Sequence, residues 1–254
     1  MQNNICGIIL AAGKGARMKT KDKNKTSLDF NGKPMVAYAV EVMQKVADET
    51  MVVVGSAAGS VVESLKEYKV RFAIQKKRLG TGHAAKVAVD QVKKENLIPK
   101  VVLIGYGDHM MFYSPEVLQK LVDEHFSQNA VLSMLSTEYD DPMKLAWGRI
   151  LRDESGNVLR IVEQKDASEV ELKVKEINPG FYCFNYDFVD EYVYKIKPSP
   201  VTGEYYITDL IEFAFKSGSK VCAVKVPFEK VGIGVNTPQQ LEESEKLYQQ
   251  VHKK

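Results

Sequence analysis

Cysteine, net charge and long apolar runs are all scarce in this chain of 254 residues. There are three cysteines, Cys6, Cys183 and Cys222, standing singly inside the apolar stretches "ICGIIL", "FYCF" and "KVCAV". An odd number with no close pair offers no zinc site, and buried reduced thiols are expected. The 35 basic and 33 acidic residues leave a net charge of +2. No global basic field argues for nucleic acid, so any useful positive charge has to be local. No apolar run approaches the roughly 18 residues of a membrane span, and "ICGIIL" is too short and wrongly flanked for a signal peptide. A soluble cytoplasmic protein with neither a membrane nor a nucleic-acid partner is expected. Internal repeats, low-complexity tracts and linker-like boundaries are also missing. With 44% hydrophobic residues the chain can bury a full core, and a single domain over 1–254 is expected.

Strand-like and helix-like segments alternate along the chain. The apolar runs "CGIILAA", "TMVVVG", "VRFAIQ" and "KVVLIGYGD" are bounded by turn residues, with amphipathic segments such as "KPMVAYAVEVMQKVAD" and "GTGHAAKVAVDQVKKE" between them. That rhythm predicts an α/β fold, a Rossmann-like, mainly parallel sheet flanked by helices. Later, "WGRILRDESGNVLRIVEQ" reads as a hairpin around Ser155, Gly156 and Asn157, and "INPGFYCFN" as another strand, both antiparallel additions. A terminal helix is predicted with Thr237 as cap, Pro238 in the first turn, Gln240 in the capping-box place, and Leu241, Tyr248 and Val251 on one face.

Open α/β sheets bind ligands beyond the carboxyl ends of their strands, where a glycine turn lets backbone N–H groups approach phosphate oxygens. "AAGKGAR" stands in that place. A dinucleotide fingerprint would need glycine where Met18 stands, and a Walker loop would need Gly-Lys-Ser/Thr, so both are excluded. What remains is a loop carrying Arg17, Lys19, Lys21, Lys23 and Lys25, which is either a polyphosphate cradle or a solvated basic loop. The run "VLIGYGDHMM" ends in Tyr106, Gly107 and Asp108. Its aspartate suits a hard cation shared with phosphates, or equally an Asx turn. His83 and His109 have no partner at ligand spacing and are read as structural, and Trp147 as packing.

Taken in order, "LAAGKGARM", "QKKRLGTGHA", "GYGD", "GRI", "IVEQKDA", "EINPGFY", "GEYYITD" and "GVNTPQQL" resemble the sugar-phosphate nucleotidyltransferases. The resemblance is greatest to the uridylyltransferase domain of bacterial N-acetylglucosamine 1-phosphate uridyltransferases and runs through nearly the whole chain. It implies that Leu10, Ala11, Ala12 and Gly13 hold the nucleotide, with Arg17 and Lys25 as catalytic cations on the triphosphate. It places Gln75, Gly80 and Thr81 at the uracil edge, where an amide offers a donor and an acceptor. Tyr106 and Gly107 fall beside the ribose. Asp108 and Asn236 correspond to Mg2+ ligands, and Gly148, Glu163 and Asn178 to sugar-binding positions, with Tyr205 and Thr208 completing that pocket.

The implied reaction transfers UMP from UTP to N-acetylglucosamine 1-phosphate. A sugar phosphate is mostly a dianion at neutral pH, its second pKa being about 6, so no general base is required. Some residues depart from the family pattern. Arg78 replaces a glutamine, Asn24 replaces the proline before the catalytic lysine, and the loop holds one extra residue, which makes Lys23 the alternative to Lys25. His109 follows the aspartate, and Ile233 replaces an acidic residue. The bacterial bifunctional proteins continue into a left-handed β-helix that carries acetyl transfer, and neither is expected within these 254 residues. That leaves no sequence argument for an oligomeric state. Two alternatives stay open: a relative of the same fold using another nucleotide or acceptor, such as a different hexose 1-phosphate or phosphocholine, and a silent nucleotide-sugar binding protein.

Overall fold

A computed structural model describes residues 4–18 and 22–252. Strand β1 (Ile5–Ala11) is buried at every position, as its unbroken apolar letters require of a strand covered on both faces. A two-strand ribbon, β2 (Asp29–Phe30) and β3 (Lys33–Pro34), leads into helix α1 (Met35–Met43). Strand β4 (Glu49–Val54), helix α2 (Ala58–Ser64), strand β5 (Arg71–Ile74), helix α3 (Thr81–Lys94) and strand β6 (Val101–Tyr106) continue the alternation. Helix α4 (Pro115–Ser127) and strand β7 (Leu132–Glu138) follow. Next come the hairpin β8 (Gly148–Arg152) and β9 (Val158–Val162), then β10 (Glu176–Asn178) and β11 (Tyr182–Asn185). Helices α5 (Tyr186–Tyr192) and α6 (Asp209–Lys216), strand β12 (Val221–Lys225) and helix α7 (Pro238–His252) complete the order.

The main sheet runs β5-β4-β1-β6-β11-β7-β10-β8-β9, with β12 also on β7. From β5 to β6 the pairs are parallel, and β11 pairs antiparallel with both β6 and β7. The expected mixed α/β sheet is therefore present. One expectation needs correction: "INPGFYCFN" forms two short strands rather than one. The chain turns at Pro179 and Gly180, and Asn178 Oδ1 accepts from the Gly180 N–H at 3.0 Å, closing an Asx turn. The result is that β10 pairs with β8 and β7 while β11 lies between β6 and β7.

Alternation along β1 divides the core between the two faces of the sheet. Ile5, Ile9 and Ala11 pack with α1, α2 and α4, whereas Cys6, Ile8 and Leu10 pack with α3, α5 and α6. Helix α3 explains its own placement, since Ala84, Ala85, Ala88, Val89 and Val92 form one buried stripe at helical spacing. A third cluster seats α7, whose Leu241, Leu247 and Tyr248 lie against Phe30, Met35 and Phe112. Thr237 caps that helix through Oγ1 to the Gln240 N–H at 3.2 Å. The reciprocal half of the box is shifted by one residue: Gln240 Oε1 accepts from the Asn236 N–H at 2.9 Å rather than from Thr237. That shift holds the backbone of Asn236. Among the described residues, no helix is long and apolar enough to cross a membrane.

Candidate active site

A cleft of about 470 Å³ opens beyond the carboxyl ends of β1 and β6, lined among others by Leu10 to Gly13, Lys25, Gln75, Thr81, Tyr106 and Asp108. Residues from four separate sequence motifs thus meet on one surface. Asn24, which departs from the family pattern, is the fastener of this floor and is only 1% exposed. Its Nδ2 donates to the carbonyls of Ala11, Gly13 and Ser56 at 2.8–3.0 Å, and its Oδ1 accepts from the Thr26 N–H at 2.9 Å. A proline could not make these bonds; the asparagine ties the end of β1 to the loop bearing Lys25. Sequence reasoning missed it because a substituted position carries no pattern of its own.

The charged end of the cleft is built from distant segments. The Val235 N–H donates to the Asp108 carbonyl at 3.1 Å, bringing "GVN" beside the end of β6. Lys25 Nζ forms an ion pair with Asp108 and donates to Asn236 Oδ1 at 2.9 Å. Arg17 Nη2 reaches the same Asn236 oxygen at 3.1 Å. Gly15, at φ +60°, turns directly over the Lys25 side chain, and a Cβ there would lie 2.7 Å from that of Lys25. Of Lys23 and Lys25, it is Lys25 that lines the cleft. Lys23 is exposed, and Lys19 and Lys21 lie outside the described residues.

Asp108 and Asn236 both aim an oxygen at one ammonium, so the pair fits a hard cation in donor type and convergence. Among the described residues no group of three or more His, Cys, Asp or Glu could hold a metal by itself. A cation here would need further oxygens from substrate phosphates, which is the usual condition for magnesium.

Along the cleft wall at Tyr106 and Thr81, and behind it, the groups are neutral. Asn178 Nδ2 donates to the Tyr182 hydroxyl at 2.7 Å, and the Tyr106 ring fills the space that a Cβ at Gly180 would take. Burial pushes the Tyr182 and Tyr106 phenols well above the usual tyrosine value, so both remain protonated hydrogen-bonding groups. Thr81 Oγ1 accepts from the Ile207 N–H at 3.1 Å. Gly107 contributes backbone: its N–H donates to the Leu10 carbonyl at 3.1 Å.

The remaining sugar positions fall beside this network. Glu163 Oε1 accepts from Thr208 Oγ1 at 2.8 Å, and its carboxyl is raised above the ordinary value by burial first, with Asp166, Asp209 and Glu204 adding to the effect. A Cβ at Gly148 would lie 3.6 Å from Glu163 Oε2 and would crowd Ile161, so the glycine leaves that carboxyl uncovered. Glu163 lines a neighbouring hollow of about 670 Å³ with Asp166 and Asp209. Gly148, Glu163, Asn178, Tyr205 and Thr208 are not among the residues that line the main cleft, and Tyr205 turns elsewhere again. Its backbone bonds to Leu79 and Gly82, while the residue lines a separate hollow with His83 and Lys86. Glu204 and Arg78 line the main cleft instead. His109 and Trp147 are buried with their rings 4.5 Å apart.

At the opposite end of the cleft, Gln75 is 4% exposed. Its Nε2 donates to the Gly80 carbonyl at 3.2 Å and lies 2.9 Å from His83 Nδ1. The expectation that this amide offers both a donor and an acceptor is corrected: both N–H bonds are directed into the protein.

With this geometry established, comparison with known proteins is informative. The Nucleotidyl transferase family description matches residues 6–231. A bifunctional protein GlmU from Caldanaerobacter subterraneus subsp. tengcongensis is 41% identical over 243 residues, covering 96% of this chain and 51% of that protein. A second, from Psychrobacter sp., is 37% identical over 98% of this chain and 52% of its own length. The chain thus spans about half the length of the curated relatives it matches. Among solved structures, a putative glucose-1-phosphate thymidylyltransferase from Bacillus anthracis, in complex with a sucrose, superposes with a TM-score of 0.74 at 25% identity, covering 96% of this chain and 95% of its own.

Proposed function

The chain belongs to the nucleotidyl transferase family, and from that premise we propose that it transfers UMP from UTP to N-acetylglucosamine 1-phosphate, releasing pyrophosphate. The observation that carries this reading is the convergence of Arg17, Lys25, Asp108 and Asn236 at one end of a cleft whose other end buries Gln75. A phosphate oxygen of the sugar phosphate forms the new bond to the α-phosphorus. The bond from that phosphorus to the bridging oxygen breaks, and the electron pair leaves with pyrophosphate. Because the attacking oxygen is already anionic, the protein has to bring two anions together and hold them in line. Lys25 and Arg17 neutralise the triphosphate and the charge developing on the leaving group. Asp108 and Asn236 would hold magnesium, which when bound supplies further charge neutralisation between the two phosphate groups. Tyr106, Thr81, Asn178 and Glu163 present hydroxyl, amide and carboxyl groups to the ribose and sugar hydroxyls. The N-acetylglucosamine acceptor rests on the motif resemblance, and the bifunctional GlmU relatives support membership of the same family.

The test is pyrophosphate release in magnesium with N-acetylglucosamine 1-phosphate, comparing UTP, CTP, dTTP, GTP and ATP. Turnover confined to UTP is expected. Turnover only with another acceptor, such as glucose 1-phosphate, would replace the acceptor assignment, and nucleotide binding without any turnover would replace the enzyme with a binding protein.

A further inference from the structure

The His83 side chain belongs to no step of the proposed reaction, yet it touches the one amide buried at the base end. An amide nitrogen can only donate, so His83 Nδ1, 2.9 Å from Gln75 Nε2, must be the acceptor and the ring proton must sit on Nε2. The second N–H of Gln75 goes to the Gly80 carbonyl at 3.2 Å. Gly80 turns that carbonyl inward at φ +102°, a conformation in which its α-carbon lies against the Tyr205 backbone with no room for a Cβ. Gln75 Oε1 has no hydrogen-bond donor among the described residues, while Gln75 lines the cleft.

We infer that His83 is a specificity-determining positioning residue: by taking one N–H of Gln75 while Gly80 takes the other, it presents the amide to the cleft as an acceptor only. This rests on the proposed reading of the cleft as the nucleotide site. An acceptor-only contact suits the N3–H of a uracil or thymine ring. Cytosine in the same pose carries a bare N3 lone pair, which would face Oε1 acceptor to acceptor and leave both unsatisfied. Without His83 the amide can turn over and offer an N–H, and the distinction is lost.

Two variants separate this role from packing. Asn places an oxygen near the position of the histidine Nδ1, and Leu has the same branching without an acceptor. Steady-state kinetics with UTP and CTP on the whole chain should show His83→Leu lowering the UTP:CTP ratio of kcat/KM by about tenfold, the scale of one neutral hydrogen bond. The change should fall mainly on KM, and His83→Asn should keep most of the ratio. A folded His83→Leu protein with the wild-type ratio overturns the inference, as does His83→Asn losing as much as His83→Leu. Nitrogen NMR of the wild-type imidazole needs no variant: an unprotonated Nδ1 is expected, and a protonated Nδ1 overturns the inference. If the wild-type protein itself does not prefer UTP to CTP, the base assignment under Proposed function fails, and this inference fails with it. That result differs from a preference that survives the loss of His83.

Discussion

The two ends of the cleft solve recognition in opposite ways. At the phosphate end, charges of both signs meet: Lys25 is paired with Asp108, and the Asn236 oxygen is shared by Lys25 and Arg17. These contacts neutralise one another, and on the proposed function they are exchanged for contacts to a triphosphate. Toward the base and sugar the groups are mostly neutral and fixed in chains: Gln75 by His83 and Gly80, and Asn178 by Tyr182 and the Gly180 N–H. One end is built to move charge and the other to hold shape. Loss of a group should therefore damage turnover at the first end, and affinity or stability at the second.

The largest expected effect is at the charged end. Lys25→Ala should lower kcat/KM for pyrophosphate release by about a hundred- to a thousandfold, the scale of a preorganised electrostatic contact to developing charge. Asp108→Ala should do the same, with the remaining activity no longer responding to added magnesium. The ion pair is only 12% and 19% exposed, so each variant leaves a charge without its partner and should also lower the melting temperature; the fall in turnover, measured on folded protein, should far exceed that loss. Magnesium-dependent activity retained in Asp108→Ala would break the comparison at this end.

Asn24→Ala probes the fastener between floor and loop. Its amide satisfies three carbonyls and its oxygen caps Thr26 in a buried setting, so a loss of about 2–3 kcal/mol in unfolding free energy is expected. Denaturant titration measures it. The neutral network should respond more modestly. Tyr182→Phe removes the hydroxyl that accepts from Asn178 Nδ2 and should raise KM for the sugar phosphate about fivefold while kcat changes little. An equal fall in kcat would mean that the network also supports the transition state, and the contrast between the ends would weaken.

This contrast was only partly legible in the letters. Unbroken apolar runs with turns at their ends were enough to indicate the parallel half, because a strand covered on both faces needs no alternation. The break within "INPGFYCFN" was hidden because its cause is a local bond from Asn178 to the Gly180 N–H, which no hydrophobic period records. At the site, motif order indicated Lys25, Asp108 and Asn236, and the structure brings them within contact across most of the chain length. The direction of a side chain is a different matter. The motif "GEYYITD" groups Tyr205 with the sugar pocket, yet the backbone bonds of Tyr205 to Leu79 and Gly82 leave Glu204 on the cleft and put Tyr205 on a separate hollow. The donors of Gln75 could not be counted without knowing that His83, eight residues later, folds back to take one.

The smallest effect concerns the carboxylates beside the sugar positions, where the neutral end borders on charge of one sign. Asp209 is raised from 3.8 to about 6, by burial first and then by Glu212 and Asp166. The folded state therefore holds this proton more tightly than the unfolded chain. Stability from this group is fully present below about pH 4, falls as pH rises between about 4 and 6, and is gone above that. Asp209→Asn should then stabilise the protein at pH 8 and make little difference at pH 4. The group is partly solvated, and as a first-turn acid of α6 it gains from the helix dipole when ionised. Discounted for both, the gain at pH 8 is about 1 kcal/mol, or roughly 2–4 °C in melting temperature. Melting curves of the two proteins across pH 4–8 measure it. A loss of stability that appears only as pH rises above about 6 would show that Asp209 acts as a helix-capping charge, which would place charge-balancing residues at this end as well.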